Sequence, residues 1–205
     1  MPNLTIDLFA SFFSVWHTVR GAGLISYVLL FLAVVGGLLQ SLPITPARFR
    51  PFLFALHTTA GWLGLLFGLT HGLVLLFDQY IGYDWVDIFI PFSSKHEMFS
   101  TPAGILAFYL MLIIMLSSDC RKYIGYKIWR KLHFVAFPAY MLALYHGLTL
   151  GTDTGLPFVH ALYVSTGALI LIFLILRIAF SLLPVSFSCF FSHNNKKKSM
   201  KTKEG

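Results

Sequence analysis

Five stretches of this chain are long, apolar and almost free of charge, and that pattern leaves few folds open. They are Ala22–Leu42, Pro51–Phe77, Pro102–Ser118, His133–Leu150 and Pro157–Leu183. A helix that crosses a membrane needs roughly 20 apolar residues, with about 17 as the practical minimum. Hydrocarbon offers no water to satisfy backbone amides, so each stretch must be helical. The short connections make sequential helices antiparallel neighbours. The expected fold is an all-α integral membrane bundle of five transmembrane helices. Composition agrees: 57% of the residues are hydrophobic and 11% charged, against about 25% charged in a soluble domain. A soluble enzyme, a disordered chain and a disulfide-stapled secreted domain are excluded on this ground.

The N-terminal segment Leu4–Val19 is a different kind of element. Asp7, Ser11, Ser14 and Thr18 form one polar stripe, with Leu4, Leu8, Phe12 and Trp16 elsewhere. This reads as a short amphipathic helix lying in the interface, or as a packed sixth span. The first ten residues contain no Lys or Arg, so a secretory signal peptide is not expected. The chain thus divides into an N-terminal amphipathic helix (1–20), a membrane domain (21–184) and a basic tail (185–205).

The basic residues give the orientation. Threading five spans places 13 of the 15 on one side: Arg48 and Arg50, the group from Arg121 to Lys131, Arg177, and the lysines from Lys196 to Lys203. The opposite loops carry Asp78, Asp84, Asp87, Glu97 and Asp153 against a single Lys95. By the positive-inside rule the basic side is cytoplasmic, giving a multi-pass protein of the cell membrane with its C-terminus inside. The net charge of +7 therefore reports topology and contact with anionic lipid, and no nucleic-acid partner is expected. Cys120 and Cys189 have no metal-binding spacing and are expected to be reduced bystanders.

Ionisable residues inside spans point to function. Four of the eight histidines fall in two spans that run parallel across the bilayer: His57 and His71 in the second, His133 and His146 in the fourth. At about 1.5 Å per residue, the two steps cover roughly 21 and 19.5 Å. His57 therefore matches His133 in depth near the inside, and His71 matches His146 nearer the outside. Two pairs stacked in this way are what two bis-imidazole haems require. The four histidines are thus the candidate axial ligands of haem iron. His57, Gly61, Gly64, Gly68 and His71 share one helix face. The three glycines remove side chains where a flat macrocycle, or a closely packed neighbouring helix, must approach. His133, Ala136, Ala139, Ala143 and His146 form a similar path of small residues. An ideal helix would leave His133 and His146 about 140° apart, so a kink or rewinding at Pro138 is expected to bring them round. Hydrogen bonding between helices is the plainer alternative for these histidines. Zinc fits less well, because the histidines lie two by two at separate depths. The spans hold no buried Asp or Glu of the kind proton-coupled transport uses.

Other residues take lesser roles. His160 begins the last span near the outer pair and is a candidate supporting or substitute ligand. Arg130 and Arg177 are read mainly as inner-leaflet anchors. Thr58, Thr59, Thr70 and Tyr145 are near enough in sequence to orient the imidazoles. The outer loop Gln79–Thr101, with Trp85, Phe89 and Phe92, is a candidate lid over the outer pair.

Several motifs together resemble the ferric reductase-like transmembrane domain. This family includes the membrane halves of eukaryotic ferric reductases and NADPH oxidases and the haem subunit of bacterial periplasmic methionine sulfoxide reductase. The motifs are Arg20-Gly21-Ala22-Gly23-Leu24, Leu56-His57 with Thr70-His71-Gly72, Trp129-Arg130-Lys131-Leu132-His133, Tyr145-His146-Gly147, and Gly151-Thr152-Asp153-Thr154. The resemblance implies an inner b-type haem on His57 and His133 and an outer one on His71 and His146. Members usually have six spans, whereas the first element here is short and amphipathic. Ferric reductases and oxidases continue into a cytosolic flavin and nicotinamide domain, and the segment Lys198–Gly205 offers nothing comparable. Flavin or nicotinamide is therefore expected only through a partner: the electron donor would be a cytosolic flavin reductase or a membrane quinol.

These readings converge on a transmembrane b-type cytochrome. It would be an oxidoreductase of ferric reductase-like type, carrying electrons from the cytoplasmic side to an outer-face acceptor such as ferric iron. Two alternatives stay open: a non-catalytic electron-transfer subunit for a separate outer-face reductase, and a haem-free membrane scaffold or transporter.

Overall fold

The computed structural model of the chain describes residues 14–78, 82–93 and 97–182, and among these it is helical with no strand. Helix α1 spans Val15–Ser41, α2 Arg50–Val74, α3 Trp85–Phe89, α4 Ser100–Asp119, α5 Arg121–Ile124, α6 Tyr126–His133, α7 Ala136–Leu150 and α8 Pro157–Leu182. Short 3-10 turns at Ala47–Phe49, Leu75–Phe77 and Thr152–Gly155 flank α2 and join α7 to α8.

Four segments among the described residues are long and apolar enough to cross a membrane: Val15–Ser41, Ala47–Phe77, Ser100–Asp119 and Pro157–Leu182. The remaining expected span, His133–Leu150, is built differently. Its helix α7 has 15 residues, about 22 Å at 1.5 Å per residue, short of the roughly 30 Å hydrocarbon core. Pro138 is the cause. Having no N–H, it cannot bond the Phe134 carbonyl, which instead accepts from Phe137 N–H at 3.3 Å, while Val135 N–H reaches only to Leu132 O at 3.0 Å. These tightened turns separate α6 from α7. One step earlier, Gly125 at φ 80° makes the left-handed turn between α5 and α6.

The first span also differs from expectation, because α1 begins at Val15 and runs unbroken through residue 20. Ser14 caps it, accepting from His17 N–H at 3.3 Å, and the His17 ring meets the same hydroxyl at 2.6 Å. The expected amphipathic segment lies largely outside the described residues, as do Cys189 and the basic tail. Cys120 is exposed and free.

Packing is organised as two hairpins. The α1–α2 seam is the most extensive and the α4–α7 seam next; α1 also touches α7 and α8, and α2 touches α4. No comparable seam joins α2 to α7. The core contains Tyr27, Leu30, Leu65, Met111, Tyr140, Tyr163 and Ile170. At its centre the Tyr27 hydroxyl meets Tyr140 Oη at 2.8 Å and Thr166 Oγ1 at 2.6 Å, so these buried polar groups satisfy one another. Outward, Leu63, Leu66, Ile113, Leu116, Leu171, Ile172 and Ile175 are exposed. An apolar exterior on long helices is a surface for lipid.

Candidate functional site

The four histidines meet two by two across the gap between α2 and α7. The ring centroids of His57 and His133 are 5.6 Å apart with planes at 73°. Those of His71 and His146 are 6.1 Å apart at 85°. One metal atom shared by two imidazoles, at roughly 2 Å from each nitrogen, leaves centroids about 6 Å apart. The interruption before α7 lets His133, at the end of α6, and His146, on α7, both reach the histidines of α2.

Three of the four rings are held in the same way. His71 Nδ1 meets Val19 O at 2.8 Å, His57 Nδ1 meets Ala33 O at 2.7 Å, and His146 Nδ1 meets Ser100 O at 2.7 Å. A carbonyl only accepts, so Nδ1 must carry the proton, and Nε2 keeps its lone pair for a metal. Four residues beyond each carbonyl stands a glycine: Gly23, Gly37 and Gly104. A Cβ there would stand 2.8 Å from the His71 ring, 3.1 Å from His57 and 2.6 Å from His146. In a helix the carbonyl of residue i already bonds the N–H of i+4. An incoming imidazole must therefore lie over residue i+4, and only glycine leaves room there. Each carbonyl and its glycine form a cradle that fixes one tautomer and one ring position.

His133 has no such cradle. Its Nδ1 is buried without a hydrogen-bond partner, and its ring lies against the indole of Trp129, with centroids 5.0 Å apart at 30°.

A cavity of ≈ 370 Å³ surrounds the outer pair, within the roughly 300–1,000 Å³ range of cofactor and ligand sites. His71, His146, Gly68, Tyr27, Phe108 and Tyr163 are among its lining residues, and the inner histidines are not. At its rim Arg20 Nε donates to Asp153 Oδ2 at 2.8 Å, and Arg20 Nη2 pairs with Oδ1 of the same carboxylate. This ion pair ties the start of α1 to the turn between α7 and α8. It also joins two motifs that are 133 positions apart in sequence. Helix α3 covers part of the cavity: Asp84 and Asp87 cap it reciprocally, Tyr109 Oη donates to Phe89 O at 2.7 Å, and Ile88 packs toward Gly72. Trp85 and Phe92 are exposed.

The glycines singled out on α2 divide. Gly64 and Gly68 line the outer cavity and back onto α1, where Ser26 Oγ donates to Gly64 O at 2.8 Å. Gly61 faces the Met115 sulfur instead. The hydroxyls expected to orient the imidazoles do not do so. Thr58 and Thr70 bond carbonyls of their own helix, at Phe54 and Ala55 and at Leu66, and Tyr145 is exposed. The orienting groups are backbone carbonyls on neighbouring helices. Sequence reading missed them, along with Gly23, Gly37 and Gly104. A signal existed: Gly23 and Gly37 repeat the 14-residue step of His57 and His71. His160 is exposed and is not among the lining residues, and Arg130 is exposed with its guanidinium on Tyr126 Oη at 3.1 Å. Among the described residues no group of three or more His, Cys, Asp or Glu could hold a metal ion, so a metal site here would have to be built on the pairs.

Residues 22–144 match the family described as the ferric reductase like transmembrane component. The chain belongs to that family, and membership points to a membrane electron-transfer or oxidoreductase role. The match takes in His57, His71 and His133 and ends two residues before His146. No curated protein and no solved structure matches the chain.

Proposed function

We propose that this protein is a transmembrane b-type cytochrome that holds two haems, one between His57 and His133 and one between His71 and His146. The supporting observation is the spacing of the two imidazole pairs across a gap where α2 and α7 do not pack, with three Nδ1 protons committed to backbone carbonyls. The donor set fits: imidazole Nε2 lone pairs come in facing twos, and around the outer pair there is a cavity walled by Gly64 and Gly68. A haem in each pair would supply a one-electron ferric/ferrous couple.

The chain's own residues do the rest. The carbonyls of Val19, Ala33 and Ser100 hold three rings in position and raise the basicity of the opposite nitrogen. The apolar helices exclude water, so charge on an iron held between the pairs would be felt strongly in a low dielectric. Arg20 and Asp153 close the rim on the outer side. The direction we propose is from the cytoplasmic face outward. The donor would be a separate cytosolic flavin reductase or a membrane quinol, and the acceptor an outer-face oxidant such as ferric iron. The protein would serve equally as the electron-transfer component for an outer-face enzyme.

Purified full-length protein should show a reducible Soret band, a low-spin six-coordinate spectrum and close to two haems per chain. Substituting His71 or His146 should remove one haem and leave the other. A purified, folded chain without haem absorbance would overturn the reading.

A further inference from the structure

The cradles follow a register that predicts a fourth. Along α1 the step from Val19 to Ala33, and from Gly23 to Gly37, is 14 residues, matching His57 to His71 on α2. The same step along α4 from Ser100 and Gly104 arrives at Ile114 and Ser118. At about 21 Å this is the depth of His133, one residue short of the same interval before His146. The fourth cradle is closed. Ser118 stands in the glycine position, and its Oγ donates to Ile114 O at 2.7 Å; Ser117 Oγ donates to the same oxygen at 2.9 Å. With the helix's own N–H added, the two lone pairs of that carbonyl are fully engaged. Ser118 Oγ also accepts from Trp129 Nε1 at 3.2 Å, and Trp129 is the ring against which His133 lies.

We propose that Ser118, seconded by Ser117, is a positioning residue of the inner pair: it closes the fourth cradle and holds His133 through the Trp129 indole instead of a carbonyl. The consequence for iron rests on the haem reading above. A hydrogen bond from Nδ1–H makes an axial imidazole a stronger donor, and a stronger donor favours ferric iron and lowers the potential. His133 lacks that bond, so the inner haem's midpoint lies above the value a fourth cradle would give.

The test uses the full chain in lipid nanodiscs and compares Ser117→Ala/Ser118→Gly with Ser117→Ala/Ser118→Ala. Both free the Ile114 carbonyl and both remove the acceptor of Trp129. Only the glycine variant leaves room for the ring. Redox titration should show the inner midpoint, identified as the wave that survives in His71→Ala, shifting downward in the glycine variant alone, with the outer midpoint unchanged. Equal shifts in both variants, no shift in either, or a shift confined to the outer wave would overturn the proposal. A second readout needs no variant and no haem: ¹⁵N spectra of histidine-labelled protein, in the ferrous state where haem is present. His57, His71 and His146 should each show a hydrogen-bonded Nδ1–H, whereas His133 should show none. In the glycine variant His133 should join the other three. A wild-type His133 with a hydrogen-bonded Nδ1–H would overturn the role given to Ser118 even if both haems are present. Missing haem absorbance with the hydrogen-bond pattern intact would sink only the cytochrome reading.

Discussion

The outer and inner ends of the bundle solve one problem with different materials. Around His71 and His146 both rings are seated on backbone, at Val19 and Ser100, with Gly23 and Gly104 beneath them. Around His57 and His133 only the first is seated so, and the second leans on an indole. Backbone seating is rigid and demands glycine. Side-chain seating tolerates a larger residue but leaves a buried Nδ1 unpaired, a deficit of about 1–3 kcal/mol. The outer site is therefore specified by what is missing from the neighbouring helices, and the inner site partly by what is present.

The largest effect that would break this comparison comes from filling the cradles one at a time. A Cβ at Gly104 would stand 2.6 Å from His146, at Gly23 2.8 Å from His71, and at Gly37 3.1 Å from His57. Overpacking of this kind costs about 1–3 kcal/mol, with a further 0.5–1.5 kcal/mol or so when the Nδ1 bond is lost. Gly104→Ala should lose nearly all of the outer haem, Gly23→Ala most of it, and Gly37→Ala little of the inner one. Haem-to-protein ratios from the pyridine haemochrome spectrum measure this directly. Equal loss from Gly37→Ala and Gly104→Ala would show that the cradles are not what distinguishes the ends.

That graded series also marks where sequence reading stops. The helical class and the in-depth matching of His57 with His133 and His71 with His146 follow from length, charge and a 1.5 Å rise, all of which are local. The expected rewinding at Pro138 is local too, and the break between α6 and α7 falls just before it, at Phe134 and Val135. Which helix seats which imidazole is not local. The 14-residue step of Gly23 and Gly37 is visible in the chain, but its meaning depends on α1 packing against α2 in one register. The glycines on the histidines' own helix were easier to notice, yet Gly64 and Gly68 owe part of their smallness to Ser26 on α1, and Gly61 to Met115. Arg20 and Asp153 each sit in a motif that is legible alone, and nothing in either predicts the other.

A middle-sized effect concerns that ion pair, which has no counterpart around the inner pair among the described residues. The side chains are 34% and 24% exposed, so their contribution is screened and worth about 0.2–1 kcal/mol. Asp153→Asn should lower the temperature of haem loss by no more than a few degrees. The wild-type advantage should shrink as salt rises, because exposed charges are screened. Only the outer haem should respond. A loss shared by both haems would mean that Arg20 holds the whole bundle rather than the outer rim.

The smallest effect expected is none, and it sharpens the outer assignment. His160 opens α8 at about the depth of His146, which made it a rival ligand on sequence grounds. Its backbone N–H is bonded to Leu156 O at 3.0 Å, its residue is exposed, and it is absent from the cavity lining. Among the described residues no carbonyl–glycine cradle receives its ring. His146 has all that His160 lacks: a partly buried place beside the cavity, the Ser100 carbonyl and Gly104. His160→Ala should therefore leave the haem ratio, the low-spin spectrum and both midpoints at wild-type values, while His146→Ala loses one haem. If the two substitutions instead remove the same haem to the same extent, the outer pair is His71 with His160, and seating by backbone does not select the ligand.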